Sequence, residues 1–252
     1  MVEVRSVLSS LCHGIFLAHH LYVCFHAREV KVRLEKDMSQ SDNLDRRVAD
    51  INNFSAVFFT NWNLMLQTLY FASSVLNDIL KAIHFQNGFR QKIHRFNGFL
   101  FTSIIFPCTI FVSTAFWSVF FINREWVMGF ILPQVMVLPE VCDEYVPKWL
   151  NHSIHTNVSI FLIIEVLITN QLLPSFRSAL TGLTILTVIY DIVFFTTYFV
   201  YGRFVYGLFH IFNWPERILF IFLNYCGSVC VMKLGLSIEH FKRSRNAKVK
   251  LR

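Results

Sequence analysis

Long runs of uncharged, mainly apolar residues constrain this chain more than any other feature of its sequence. There are six such runs, each long enough for a membrane-spanning helix, which needs about 20 mainly apolar residues. Three contain no Asp, Glu, Lys or Arg, two contain one acidic residue each, and the last carries a lysine near its end. They are 6–27, 51–77, 96–123, 149–176 with Glu165, 178–202 with Asp191, and about 216–238 with Lys233.

The composition agrees with a membrane protein and excludes other classes. Of the 252 residues, 54% are hydrophobic and only 15% are charged, against about 25% in an ordinary soluble chain. The net charge of +7 does not indicate a nucleic-acid partner, because the charges lie between the apolar runs and not along one helix face. The runs also lack the ~10-residue alternation of a membrane β-barrel. We therefore predict an all-α, polytopic membrane protein with about six transmembrane helices.

Two shorter apolar runs, 126–139 and 204–215, contain proline and are too short to span a bilayer. We interpret them as interfacial or re-entrant segments. The first run, 6–27, follows Arg5 as in a signal peptide, but its histidines and the absence of a small-residue cleavage site favour a retained helix. The predicted organisation is one transmembrane domain over 1–241 and a basic cytosolic tail over 242–252.

The basic residues predict the orientation of the chain. The loop 81–95 and the tail 242–252 are rich in Lys and Arg, and such segments stay on the cytosolic side. Six helices then place both termini in the cytosol, although the basic residues of the loop 28–53 oppose this assignment. Lys250 and Lys248 are the third and fifth residues from the end of the chain. This spacing resembles a dilysine retrieval signal, so we expect the endoplasmic reticulum, with the plasma membrane as the alternative.

Polar side chains form stripes on the second and fourth predicted helices. Thr60, Asn63 and Gln67 have helical spacing, and so do His152 and His155. Both helices cross the membrane in the same direction, so Thr60 and His155, each within about two turns of a helix start, lie at similar depth near one membrane face.

A hydroxyl and an imidazole at the same depth are the components of a nucleophile–base pair. The histidine takes the proton from the threonine hydroxyl and returns it to the leaving group, while Asn63, Gln67 or backbone N–H groups stabilise the oxyanion. Two alternatives stay open at this point. Polar side chains also join helices in a membrane, and Glu165 and Asp191 could line a transport path. A divalent metal held by His152 and His155 is disfavoured, because Glu165 lies ten residues beyond His155, about 15 Å along the helix and too far to share the ion.

Two motifs resemble those of the androgen-induced / androgen-dependent TFPI-regulating protein family. They are Phe-Phe-Thr-Asn-Trp-Asn-Leu-Met-Leu-Gln at 58–67 and Trp-Leu-Asn-His-Ser-Ile-His-Thr at 149–156, and the second is the more specific. The resemblance covers roughly residues 55–238. It does not extend to the first ~50 residues, and the interval 126–148 is longer than the family pattern implies.

The resemblance implies a membrane hydrolase of fatty acid esters of hydroxy fatty acids. In such an enzyme Thr60 is the nucleophile, His155 is the base, and Asn151 and His152 orient the site. It implies a lipid substrate held in the bilayer and no cofactor, metal or nucleic acid. A non-enzymatic membrane regulator or scaffold, and a small proton-coupled transporter using Glu165 and Asp191, remain the alternative functions.

Overall fold

The computed structural model describes residues 2–40, 50, 52–85, 88–122 and 145–250, and these residues form seven helices without a strand. The predicted all-α, polytopic membrane architecture is confirmed. The helices are α1 (Val2–Gln40), α2 (Phe59–Ala82), α3 (Gly88–Ile122), α4 (Lys148–Ile168), α5 (Phe176–Tyr201), α6 (Leu208–Ile211) and α7 (Trp214–Lys250).

Five helices are long and apolar enough to cross a membrane, namely α1, α3, α4, α5 and α7. The exceptions are the four-residue α6 and α2, whose 24 residues extend about 36 Å. Helix α2 is less apolar because it carries a polar face, and Asn63, Gln67 and Ser74 on that face are buried in the bundle. The bundle therefore has polar side chains inside, whereas large apolar side chains such as Phe121 and Phe199 are exposed on the outside. This distribution suits lipid and not water as the surrounding solvent.

Two of the long helices contain a wide π turn. In α3 it covers Phe101–Ile105 and is followed by Pro107. Proline has no N–H to donate to the carbonyl four residues earlier, so the regular α-helical ladder cannot continue unchanged through this point. In α4 the π turn covers Ser153–Asn157 and includes His155.

Three helices have bounds that differ from those of the uncharged runs. Helix α1 continues past residue 27 to Gln40, with an ion pair one turn apart between Lys31 and Glu35 on its polar extension. Helix α2 begins at Phe59 and not near 51, because residues 54–57 form a turn and Phe58 is extended. Helix α4 ends at Ile168, because Thr169 after it has extended backbone.

A buried polar network joins α1, α2 and α4 at one end of the bundle. The Glu165 Oε1 atom accepts hydrogen bonds from the Tyr70 hydroxyl at 2.6 Å and the Gln171 amide at 3.1 Å, and it lies 3.2 Å from His13 Nε2. The other ring nitrogen of His13 lies 2.6 Å from Asp78. Glu165 is fully buried, and a buried carboxylate needs such partners to offset the loss of hydration.

Helix α7 continues through residue 241 to Lys250 and so includes most of the segment predicted as a basic tail. On this part of α7 the Lys242 ammonium group donates to the carbonyls of Val166 and Thr169 and to Glu239. The last carbonyls of a helix lack intrahelical donors, so Lys242 caps α4 while α7 passes beside it.

The other end of the bundle holds the start of α2, the end of α5 and the start of α7. The Arg203 guanidinium binds both carboxylate oxygens of Asp50 at 2.5 and 2.6 Å. Residues 204–215 do not span the membrane but form a short connection with Phe204, Val205 and Phe209 buried. The other short run, 126–139, lies outside the described residues.

Candidate functional site

A largely apolar cavity of about 200 Å³ lies among α2, α3, α4, α5 and α7. Thr60 and His155, 95 positions apart in the sequence, both line it. Most of the remaining lining is aromatic or aliphatic. Its polar members are Thr187, Tyr190, Asp191, Tyr206, Asn224, Tyr225 and Ser228.

Thr60 lies in the first turn of α2, so its hydroxyl lacks the partner that a threonine usually has inside a helix, the backbone carbonyl four residues earlier. Threonines deeper in the helices donate to the carbonyl four residues earlier, as Thr68 does to Leu64 at 2.8 Å. For Thr60 that carbonyl belongs to Ala56, which lies in the preceding turn and accepts the Trp62 indole N–H at 2.8 Å. No described residue hydrogen-bonds to the Thr60 hydroxyl, so this group is available to a molecule in the cavity.

Tyr206 fixes the backbone next to Thr60. Its hydroxyl accepts the Phe59 N–H at 2.9 Å and the Tyr190 hydroxyl proton at 3.1 Å. The first N–H groups of a helix have no intrahelical acceptor, and no side chain caps the helix at Phe58. A tyrosine from the α5–α6 connection thus supplies the missing acceptor and holds the start of α2 against the cavity.

His155 is held by stacking and by its backbone. Its ring lies against Phe116 with centroids 3.5 Å apart and an interplanar angle of 9°. The backbone carbonyl of His155, within the π turn, accepts a hydrogen bond from the Ser113 hydroxyl at 2.6 Å. The side chain is buried, and its Nδ1 atom has no hydrogen-bond partner among the described residues. Buried polar atoms without partners are rare, and π turns recur at functional sites.

The predicted orienting residues Asn151 and His152 do not line the cavity. Asn151 is half-buried in the first turn of α4, where its N–H bonds to Pro147. His152 is exposed and stacks on Trp117, with its Nδ1 atom 3.2 Å from the Thr156 hydroxyl. Any effect of these two residues on the cavity is therefore indirect, through the packing of α4 on α3.

Asn63 and Gln67 also lie away from the cavity lining. The Thr109 hydroxyl donates to Asn63 Oδ1 at 3.0 Å and accepts from the Gln67 amide at 2.7 Å. His20 Nε2 lies 3.1 Å from Gln67 Oε1. This buried chain joins α1, α2 and α3, which is the helix-joining role that the sequence left open. Because neither amide lines the cavity, neither is placed to stabilise an oxyanion there.

The structure separates the two acids of the transporter alternative. Asp191 lines the cavity with Thr60 and His155, whereas Glu165 is buried in the network with His13 and Tyr70. From the sequence, Asp191 was a candidate only in the transporter alternative, as a single acid in an apolar run. Tyr206 was not predicted as a site residue, because it lies in a connection outside the polar stripes of the helices. In the described residues no group of three His, Cys, Asp or Glu side chains is arranged to hold a metal.

Comparison with known proteins identifies relatives along most of the chain. The sequence model of the FAR-17a/AIG1-like protein family matches residues 9–240. The human androgen-dependent TFPI-regulating protein is 31% identical over 186 residues, which cover 73% of this chain and 76% of that protein. The human androgen-induced gene 1 protein is 27% identical over 169 residues, covering 65% and 67% of the two chains.

A golden hamster protein named androgen-dependent TFPI-regulating protein is 28% identical over 73% of this chain and 75% of its own. No solved structure matches the chain. Because the family model spans nearly the whole sequence and both motifs lie inside it, the chain belongs to the FAR-17a/AIG1-like protein family.

Proposed function

We propose that this chain is an integral-membrane hydrolase that cleaves the ester bond of fatty acid esters of hydroxy fatty acids, with Thr60 as nucleophile and His155 as base. The observation that carries the proposal is the shared cavity, which is lined both by Thr60, whose hydroxyl has no hydrogen-bond partner among the described residues, and by the buried side chain of His155. The family resemblance of the two motifs supports the same pair.

In this mechanism the Thr60 oxygen attacks the ester carbonyl while His155 accepts the hydroxyl proton. Collapse of the tetrahedral intermediate breaks the ester bond, and His155 returns the proton to the departing alkoxide, which leaves as the hydroxy fatty acid. Water, activated by His155, then hydrolyses the acyl-threonine and releases the fatty acid. Thr60 lies at the N-terminus of α2, where backbone N–H groups and the positive end of the helix dipole favour the negative oxyanion.

The cavity lining favours a lipid substrate. Aromatic and aliphatic side chains from α3, α5 and α7 surround the polar pair, and an apolar pocket gains only about 1–3 kcal/mol per methylene. The enzyme should therefore tolerate acyl chains of different length and discriminate mainly at the ester and its polar surroundings.

The test is the hydrolysis of a fatty acid ester of a hydroxy fatty acid by membranes carrying the full chain. Thr60→Ala and His155→Ala should each reduce the rate at least 100-fold, because general-base catalysis alone contributes about 10²–10⁴. Thr68→Ala is a matched control, since it removes a hydroxyl from the same helix, and His240→Ala removes an exposed imidazole. Hydrolysis retained in Thr60→Ala at normal abundance would refute the proposal.

We further propose that the protein resides in the endoplasmic reticulum with both termini in the cytosol. The basic tail and the spacing of Lys248 and Lys250 support this location, and their replacement by serine should shift the protein to later compartments. Glycosylation of an acceptor site added after Arg252 would contradict the orientation, because glycans are attached on the lumenal side.

A further inference from the structure

The charge in the cavity lining is concentrated at one position along α5. Asp191 is the one charged side chain among the described residues that line the cavity. It lies ten residues before the end of α5 at Tyr201, about 15 Å from that end of the helix. A negatively charged group that enters the cavity at this depth meets a carboxylate in an apolar environment, where repulsion is stronger than in water.

A cation lies beside the cavity lining, where Arg217 contacts the lining residue Phe209. Arg217 is three residues after the start of α7, at the end of the bundle shared with the start of α2. Ile221, Asn224 and Ser228 follow it at i+4, i+7 and i+11 and all line the cavity. These positions lie on one face of a helix, so the cavity face of α7 continues outward to Arg217.

The environment of Arg217 holds its guanidinium in place while leaving part of it free. Its Nε–H donates to the carbonyl of Phe209, itself a lining residue, at 2.8 Å. The group lies 4.6 Å over the Phe204 ring and 4.9 Å over Trp214. No described residue is bonded to its terminal nitrogens. The nearby Arg203 differs, because both its terminal nitrogens bind the Asp50 carboxylate.

We propose that Arg217 binds the free carboxylate of the substrate at the cavity mouth, so that the fatty acyl chain enters the cavity and the carboxylate of the hydroxy fatty acid remains at the rim. This inference rests on the proposed function and specifies its substrate orientation. The rigid fork of a guanidinium suits a carboxylate, and Asp191 disfavours the reversed orientation. Thr60, in the first turn of α2 at the same end, then meets the ester between the two parts of the lipid.

The experiment compares two esters of the same length, a fatty acid ester of a hydroxy fatty acid and its counterpart in which a methyl group replaces the terminal carboxyl. The measured quantity is the ratio of their kcat/KM values. A charge-assisted hydrogen bond predicts that Arg217→Gln lowers this ratio about tenfold or more, mainly through a higher KM for the acidic ester. Arg217→Lys should lower the ratio less, because lysine keeps the positive charge but lacks the paired N–H donors of the guanidinium. Arg177→Gln, an exposed arginine at the other end of α5, should leave the ratio unchanged.

The outcomes separate this inference from the proposed function. Wild-type protein that cleaves neither ester refutes both. Wild-type protein that cleaves both esters with equal efficiency, or an Arg217→Gln variant that keeps the wild-type ratio, refutes the inference alone. Equal losses for both esters in Arg217→Gln also overturn it, since they assign Arg217 a structural role through its contacts with Phe204, Phe209 and Trp214.

Discussion

The hydroxyl of Tyr206 should control both the stability of the α2 N-terminus and the position of Thr60. Replacing Tyr206 by Phe keeps the ring, including its stacking on Phe194, and removes one oxygen. Two donors lose their acceptor at once, the Phe59 N–H and the Tyr190 hydroxyl. Tyr190→Phe is the matched variant, because it removes the second of these bonds and leaves the first intact.

The magnitude follows from the number of bonds lost. A typical hydrogen bond contributes about 0.5–1.5 kcal/mol, and an unpaired buried group costs about 1–3 kcal/mol. Both contacts are part-buried, so Tyr206→Phe should reduce the free energy of unfolding by about 1–2 kcal/mol. For a domain of this size that corresponds to a Tm lower by about 2–8 °C. Tyr190→Phe should cost about half as much.

Thermal unfolding of the detergent-solubilised variants measures these differences, and ester hydrolysis at 25 °C reports on Thr60. The double variant Tyr190→Phe/Tyr206→Phe should unfold at nearly the same temperature as Tyr206→Phe, because the Tyr190 bond is already lost in the single variant. The reasoning is wrong if Tyr190→Phe destabilises the protein as much as Tyr206→Phe, or if the two effects add fully.

Two further changes test the packing of the bundle. Glu165→Leu leaves the Tyr70 hydroxyl without its acceptor and removes a carboxylate from beside His13. It should therefore destabilise the protein by about 3–5 kcal/mol and reduce its abundance in membranes; normal abundance with a lost ion or proton flux would favour the transporter alternative. Gly98→Ala places a Cβ 2.1 Å from the Leu172 carbonyl oxygen. It should lower the Tm strongly, because relieving this clash requires the backbone at residue 98 or residue 172 to move. Gly227→Ala, with nothing within 4 Å, should be neutral or stabilising by up to about 1 kcal/mol, and equal effects of the two glycine changes would contradict the packing argument.

The family motifs predicted which residues to examine, and the helical spacing predicted that Thr60 and His155 lie at one depth. Their common cavity agrees with that expectation. The same spacing could not assign roles to Asn63 and Gln67, because a stripe on one helix does not reveal which neighbour it meets. In the bundle these amides contact Thr109 and His20, whereas Thr60, one turn earlier, faces the cavity.

The sequence by itself determined the fold class, because long uncharged runs can satisfy their backbone groups in a bilayer only as helices. It also marked the positions of the buried polar groups, since such residues are costly in lipid and therefore conspicuous. Only the tertiary structure decided which of them meet. Asp191 lines the same cavity as Thr60 and His155, whereas Glu165 contacts His13. Tyr206 accepts a hydrogen bond from the N–H of Phe59, 147 positions away in the sequence. These pairings depend on how helices distant in sequence pack side by side, and no local periodicity encodes that choice.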